Sequence, residues 1–126
     1  MRKLIVYISL LFFSCSAQQP LKVGNDKDAF GCIPSAGYQW SELKQDCVRP
    51  FELPMQLYNN DHTFSAGILF SSNLEKAEVF CKEGRLLMLK NNINKYSTQD
   101  SNYLLVNLDS VVSWKVLDRF GNILYK

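Results

Sequence analysis

Between Phe64 and Ser71 the chain alternates, with Phe64, Ala66, Ile68 and Phe70 on one side and Ser65, Gly67, Leu69 and Ser71 on the other. A period of two with one plainly apolar face predicts a half-buried strand. Glu78 to Lys82 and Arg85 to Lys90 flank Glu83-Gly84, a short glycine-containing turn of hairpin type. Tyr103 to Leu108 is apolar enough to be a buried strand. Val111 to Leu117 and Ile123 to Tyr125 flank Asp118-Arg119-Phe120-Gly121-Asn122, where Gly and Asn tolerate positive φ and let the chain reverse. From Tyr38 onward such segments recur about every eight to twelve residues between Asn, Asp, Gly and Ser clusters, the pattern of a sandwich or barrel. The expected fold is all-β: a small antiparallel meander, barrel-like or sandwich-like. The one helical candidate in the second half is Asn73 to Val79, around Leu74-Glu75-Lys76-Ala77, too short to be stable alone.

Ahead of these strands, 31-GCIPSAGYQWSELKQDCVRPFE-52 packs two cysteines among aromatic residues. Tyr38 and Trp40 share a strand face, and Val48, Pro50 and Phe51 lie across a polar link from Ser41 to Asp46, so a hairpin is expected to bring Cys32 and Cys47 within bridging range. Closing a loop of this length contributes about 3 kcal/mol.

The N-terminus fixes the compartment in which such a bridge is expected. Arg2 and Lys3 precede an apolar run from Leu4 to Phe13 and then Ser14-Cys15-Ser16-Ala17, the layout of a secretory signal. The run is too short to span a bilayer. Cleavage after Ala17 and lipoprotein-type cleavage before Cys15 are both open readings; Phe12-Phe13-Ser14-Cys15, with its relaxed lipobox, favours lipid on Cys15. The expected organisation is a signal at 1–15, a polar tether at 16–29 and one β-domain at 30–126. Losing 1–15 removes Arg2 and Lys3 and no acid, so the 14 basic residues fall by two to match the 12 acidic ones. A neutral chain with scattered charge argues against nucleic-acid binding. In an exported protein a cysteine pair is more often a disulfide than a metal site.

Catalytic and metal-binding patterns are sparse. A metal site needs about four ligands, and three mature cysteines with His62 include no close pair. Cys81, between Phe80 and Lys82, reads as a small buried hydrophobe on a strand, with a reactive thiol as the alternative. His62, in the polar run Asn59 to Thr63, reads as a solvated loop residue rather than a proton shuttle. The acid pairs Asp26/Asp28, Glu75/Glu78 and Asp109/Asp118 fall in tethers and turns and read as solvated. Asp26-x-Asp28 begins like a calcium loop, but Phe30 and Gly37 stand where oxygen ligands belong. No cofactor is expected. Aromatics form 13% of the chain and most are expected in the core. The longest polar connection of the second half, Asn91 to Asn102, is the candidate binding loop.

The run Gly31-Cys32-x-x-Ser35-Ala36-Gly37-Tyr38-x-Trp40, followed by Cys47-x-Arg49 and Phe51-Glu52, resembles a motif of small, mostly uncharacterised secreted and lipid-anchored proteins of the Bacteroidota type, GCxxSAGYxWCxxxxxCxRxWExxC. Fuller versions carry four cysteines. Here Ser41 holds the second position and no cysteine follows Glu52, which implies one bridge, Cys32–Cys47. From Ala77 to Asn122 the order of segments is similar to that of periplasmic C-type lysozyme inhibitors, small β-barrels with a Ser-Gly-x-x-Tyr loop. Tyr96 and Ser97 match, Lys95 stands where Arg is common, and Ile93-Asn94 replaces Ser-Gly. That resemblance implies a binding loop at Lys95, Tyr96 and Ser97, with Lys95 and Tyr96 entering a partner's cleft.

The expectation is a non-catalytic binding or inhibitor-like module of the cell envelope. It is lipid-anchored to the outer membrane or secreted to the periplasm, with an envelope or extracellular protein as partner. A structural or assembly component of the envelope is the alternative.

Overall fold

The computed structural model describes residues 26–108 and 113–126. The expected signal, Cys15, most of the expected tether, Asp109 and Val111 lie outside them. The described chain is nearly all strand: β1 (Gln39–Ser41), β2 (Asp46–Val48), β3 (Met55–Tyr58), β4 (Ser65–Phe70), β5 (Lys76–Cys81), β6 (Gly84–Asn92), β7 (Lys95–Thr98), β8 (Tyr103–Asn107), β9 (Trp114–Asp118) and β10 (Ile123–Tyr125), with short 3₁₀ turns at Pro34–Ala36 and Pro50–Glu52. Strands β3 to β10 form one antiparallel meander in which each pairs with its sequence neighbour. Its two edges meet: the Tyr58 amide donates to the Lys126 carbonyl at 3.0 Å and the Lys126 amide donates to the Tyr58 carbonyl at 2.9 Å. The sheet is therefore a nearly closed eight-stranded barrel, and closure removes the unpaired edges on which sheets aggregate.

Alternation decides what faces inward. On β4 Ala66 and Ile68 point into the barrel, on β5 Ala77 and Val79, on β6 Met88, on β7 Tyr96, on β8 Leu105 and on β9 Val116; all are buried in one cluster with Leu57 and Tyr125. Phe70, Tyr96 and Trp114 pack together in tilted contacts, with ring centroids 5.4, 5.1 and 5.9 Å apart. Eight strands give an interior just wide enough for side chains, and these side chains fill it. The connections β4–β5, β6–β7 and β8–β9 share one end of the barrel, and the other four share the opposite end.

Two sequence expectations fail here. Asn73 to Val79 is not helical: the Ser71 amide donates to the Lys76 carbonyl, the Lys76 amide donates to Ser71 Oγ, and Asn73 Oδ1 accepts from the Glu75 amide. These bonds close a turn, after which Ala77 and Val79 are drawn into the barrel as β5. Nor is Asn91 to Asn102 a loop, because β6 runs to Asn92, Ile93-Asn94 makes the turn with Asn94 at φ 57°, and β7 follows. Its polar residues are the outward face and the turns of a hairpin.

Candidate binding surface

Residues 26–54 form a second layer on the outside of β4, β5 and β6. Its hairpin, β1 with β2, pairs Trp40 opposite Cys47, and Cys47 is bonded to Cys32 with a Cα–Cα separation of 5.6 Å. The expected bridge is present. The layer is seated by close approach at Gly67, where an added Cβ would collide with the Pro50 carbonyl oxygen. Gln56 Nε2 donates to the Pro50 and Leu53 carbonyls at 2.6 and 3.0 Å, fixing the chain as it enters β3.

Beneath the hairpin lies Glu78, on the outward face of β5 and fully buried. Its carboxylate accepts from Ser41 Oγ at 2.6 Å and from the Glu42 amide at 2.7 Å. Arg85, on β6, stands 3.7 Å from Glu78, 3.6 Å from Glu42 and 3.4 Å from the Trp40 carbonyl. Sequence reasoning placed Glu78 among solvated turn acids; the structure corrects this, because the hairpin covers the face that Glu78 shares with the buried Phe80. Phe80, two residues on, was the available signal, since an apolar ring on a barrel's outer face implies a cover.

The layer also builds an aromatic rim. Asp28 Oδ1 accepts from the amides of Phe30 and Cys32, each at 2.9 Å, and Gly31 turns at φ 85°. This folds Phe30 back flat on Trp40, with centroids 4.8 Å apart and planes 5° apart. Phe30 nevertheless stays 58% exposed. Arg49 stacks on Tyr38, its guanidinium carbon 4.5 Å from the ring centroid, and bonds Glu52 at 3.1 Å. Arg49 Nε is buried with no hydrogen-bond partner among the described residues. Asp26, in the expected tether, accepts from the Ser35 amide and hydroxyl. Those bonds hold its carboxyl below the usual range.

Beside this rim two neighbouring hollows share Arg85. One, of about 370 Å³, is lined by Phe30, Tyr38, Gln39, Trp40 and Asp28. The other, of about 410 Å³, is lined by Leu87, Thr98, Gln99, Asp100 and Tyr103. Together they make a trough with aromatic groups on both sides of one cation. A further hollow of about 460 Å³ at the barrel end is lined by Asp61, Phe64, Lys82, Glu83 and Tyr125, but its groups engage one another. Tyr125 Oη donates to Glu83 at 2.7 Å and accepts from the Lys82 amide, Lys82 Nζ covers Phe64, and Asp61 accepts from Thr63.

The residues singled out from sequence are dispersed. Lys95 is exposed at the start of β7, and Ser97 Oγ accepts from Asn91 Nδ2 at 3.0 Å. Tyr96 points into the barrel, 3% exposed, and its hydroxyl donates to the Leu74 carbonyl at 2.7 Å. Insertion of Tyr96 into a partner's cleft is thereby corrected: the ring belongs to the core. Cys81 packs against the barrel interior, and burial, with Glu83 adding to it, pushes its thiol up to about 12. Such a thiol is protonated at neutral pH, the opposite of a reactive cysteine. His62 sits exposed at φ 57°, tilted against Tyr58. Among the described residues no cluster of three or more His, Cys, Asp or Glu is placed to hold a metal ion, and no helix is long and apolar enough to cross a membrane. Compared with family models, with curated proteins and with solved structures, the chain matches none.

Proposed function

We propose that the protein is a non-catalytic binding or inhibitor-like module of the cell envelope, exported and held there by lipid on Cys15. In this reading it recognises an extended segment of an envelope or extracellular protein in the trough that runs past Arg85. The observation that carries this reading is Phe30, an exposed ring held rigid by an Asp28 turn and the Trp40 ring at the lip of that trough. A pre-ordered aromatic face loses little entropy when a partner covers it. Aromatic-lined grooves suit extended segments, whose side chains pack between the rings. The filled barrel interior leaves the outer surface as the place for recognition.

A photo-crosslinker at Gln39, which is exposed and lines the first hollow, tests the reading in cells. The expected result is one defined exported protein captured by the parent and captured about tenfold less by Phe30→Ala, in line with the loss of an aromatic anchor. Equal capture by both would remove the trough as the recognition surface. Capture of a membrane complex that is indifferent to Phe30 would favour the structural or assembly role instead.

A further inference from the structure

Arg85 stands where the two hollows of the trough meet, and its charge is already answered by its own chain. Glu42 lies 3.6 Å from its guanidinium and the buried Glu78 3.7 Å, while Arg85 Nη1 donates to the Trp40 carbonyl at 3.4 Å. Two carboxylates against one guanidinium leave no excess positive charge to attract an acid. Among the described residues, the other charged side chains that line the hollows are Asp28 on one side and Asp100 on the other. Lys27, beside Asp28 in sequence, and Lys44, in the turn of the hairpin, line neither hollow. The trough is therefore negative as a whole, although the side chain at its centre is a cation.

Both outlying acids are fixed in place, and each has a ring beside it. Asp28 holds its turn with one oxygen, Oδ1, so Oδ2 is not needed there. Asp100 Oδ1 accepts from the Thr98 hydroxyl at 2.6 Å and from the Asn102 amide at 3.1 Å, and Oδ2 accepts from Asn102 Nδ2 at 2.8 Å. Those bonds, the one from the Thr98 hydroxyl first, hold its carboxyl below the usual range. Phe30 shares the first hollow with Asp28, and Tyr103 shares the second with Asp100. Phe30 rests one face on Trp40 and, at 58% exposed, turns the other to solvent. The exposed rings of Phe64 and Phe120 carry Lys82 and Arg119, but among the described residues no cation lies over Phe30. An open ring face beside a carboxylate is a seat for a cation.

We propose that the segment recognised in the trough is basic: one lysine or arginine side chain rests on the open face of Phe30 and pairs with Asp28, and another pairs with Asp100 beside Tyr103. This rests on the reading of the trough as a recognition surface and names the chemistry of what it takes. Arg85 binds no part of the segment. It ties the hairpin to the barrel wall through Glu42, Glu78 and the Trp40 carbonyl, and its charge lowers the affinity for a basic partner. An acidic segment would meet Asp28, Asp100 and Glu42 as like charges, which excludes it.

The test uses the full chain with Cys15→Ser, which cannot be acylated, and labelled nonapeptides that alternate threonine with either lysine or glutamate, titrated by fluorescence anisotropy. The lysine peptide is expected to bind, more weakly as salt rises, and the glutamate peptide to bind about tenfold more weakly or worse. Asp28→Asn with Asp100→Asn keeps the acceptor oxygens that the two turns need and should weaken the lysine peptide about fivefold. Asp61→Asn with Glu75→Gln, which removes the same charge outside the trough, should leave it unchanged. Arg85→Gln should tighten the lysine peptide about threefold, a gain that misfolding cannot produce. A glutamate peptide bound as well as the lysine one, full affinity in the Asp28 and Asp100 variant, or weaker lysine binding by Arg85→Gln would overturn the proposal. Crosslinking from Gln39 keeps the two readings apart. Phe30-dependent capture that is unchanged by Asp28→Asn with Asp100→Asn would leave recognition in place and remove the basic segment. Lysine binding as expected, with no exported protein captured, would keep the preference for cations and remove the exported partner.

Discussion

At the residue scale, Glu78 shows how much one carboxylate can hold. It is fully buried, yet both of its oxygens accept short hydrogen bonds from the hairpin, at 2.6 and 2.7 Å. Removing it strands the buried Ser41 hydroxyl and the Glu42 amide together, so Glu78→Ala should cost about 3 kcal/mol in denaturant unfolding. Arg85, a third exposed and more than 3.5 Å from either carboxylate, should cost only about 1 kcal/mol as Arg85→Ala. A smaller loss for Glu78 than for Arg85 would contradict this ordering. Cys81 gives the pH dependence. Its folded thiol lies above the ordinary 9.0, at about 12, so the folded chain holds the proton more tightly than the unfolded one. The stability contributed is complete below pH 9 and declines as pH rises toward 12. Tyr125, raised chiefly by burial, moves in the same direction. Unfolding followed from pH 8 to 11 should show this decline, and a thiol reagent at pH 7 should label Cys81 slowly until denaturant is added.

At the element scale, the hairpin β1–β2 is a cover clipped to a barrel. Short strands bury little, so the clip matters. Reducing Cys32–Cys47, or replacing both residues by alanine, should lower stability by about 3 kcal/mol and expose Phe80 and Glu78, seen as faster amide exchange along the outer side of β5. Protection of β5 unchanged by reduction would mean that the layer is held by Glu78 and Gly67 alone. The strand order was largely legible in sequence because a barrel wall in contact with water alternates. Phe64 to Phe70 and the Gly84 and Gly121 turns declare themselves in this way. Reading failed where both faces carry meaning. Lys95-Tyr96-Ser97 has a single apolar residue among polar neighbours and passes for a loop, yet in a wall one residue wide that is what an inward tyrosine looks like. The trough was not legible at all: Trp40 and Arg85 are 45 positions apart, and only the folding of the first layer over the barrel brings them together.

At the scale of the whole molecule, eight strands close around a solid interior, and the exterior is divided into faces of different character. Closure depends on the paired hydrogen bonds between Tyr58 and Lys126. Deleting 123–126 removes β10 and opens the facing edges of β3 and β9. The truncated chain should then melt at a lower temperature and associate with rising concentration, as size-exclusion chromatography would show. A monomer of unchanged melting temperature would mean that the seam is dispensable.

The seam also sets a schedule. Because the seam joins Tyr58 to Lys126, at the start and the end of the eight-strand meander, the cylinder cannot close until every strand between them is in place. Contacts that join distant residues form slowly in any case. The closed shape is thus the last thing the eight strands acquire, and until then the wall is an open sheet with two free edges.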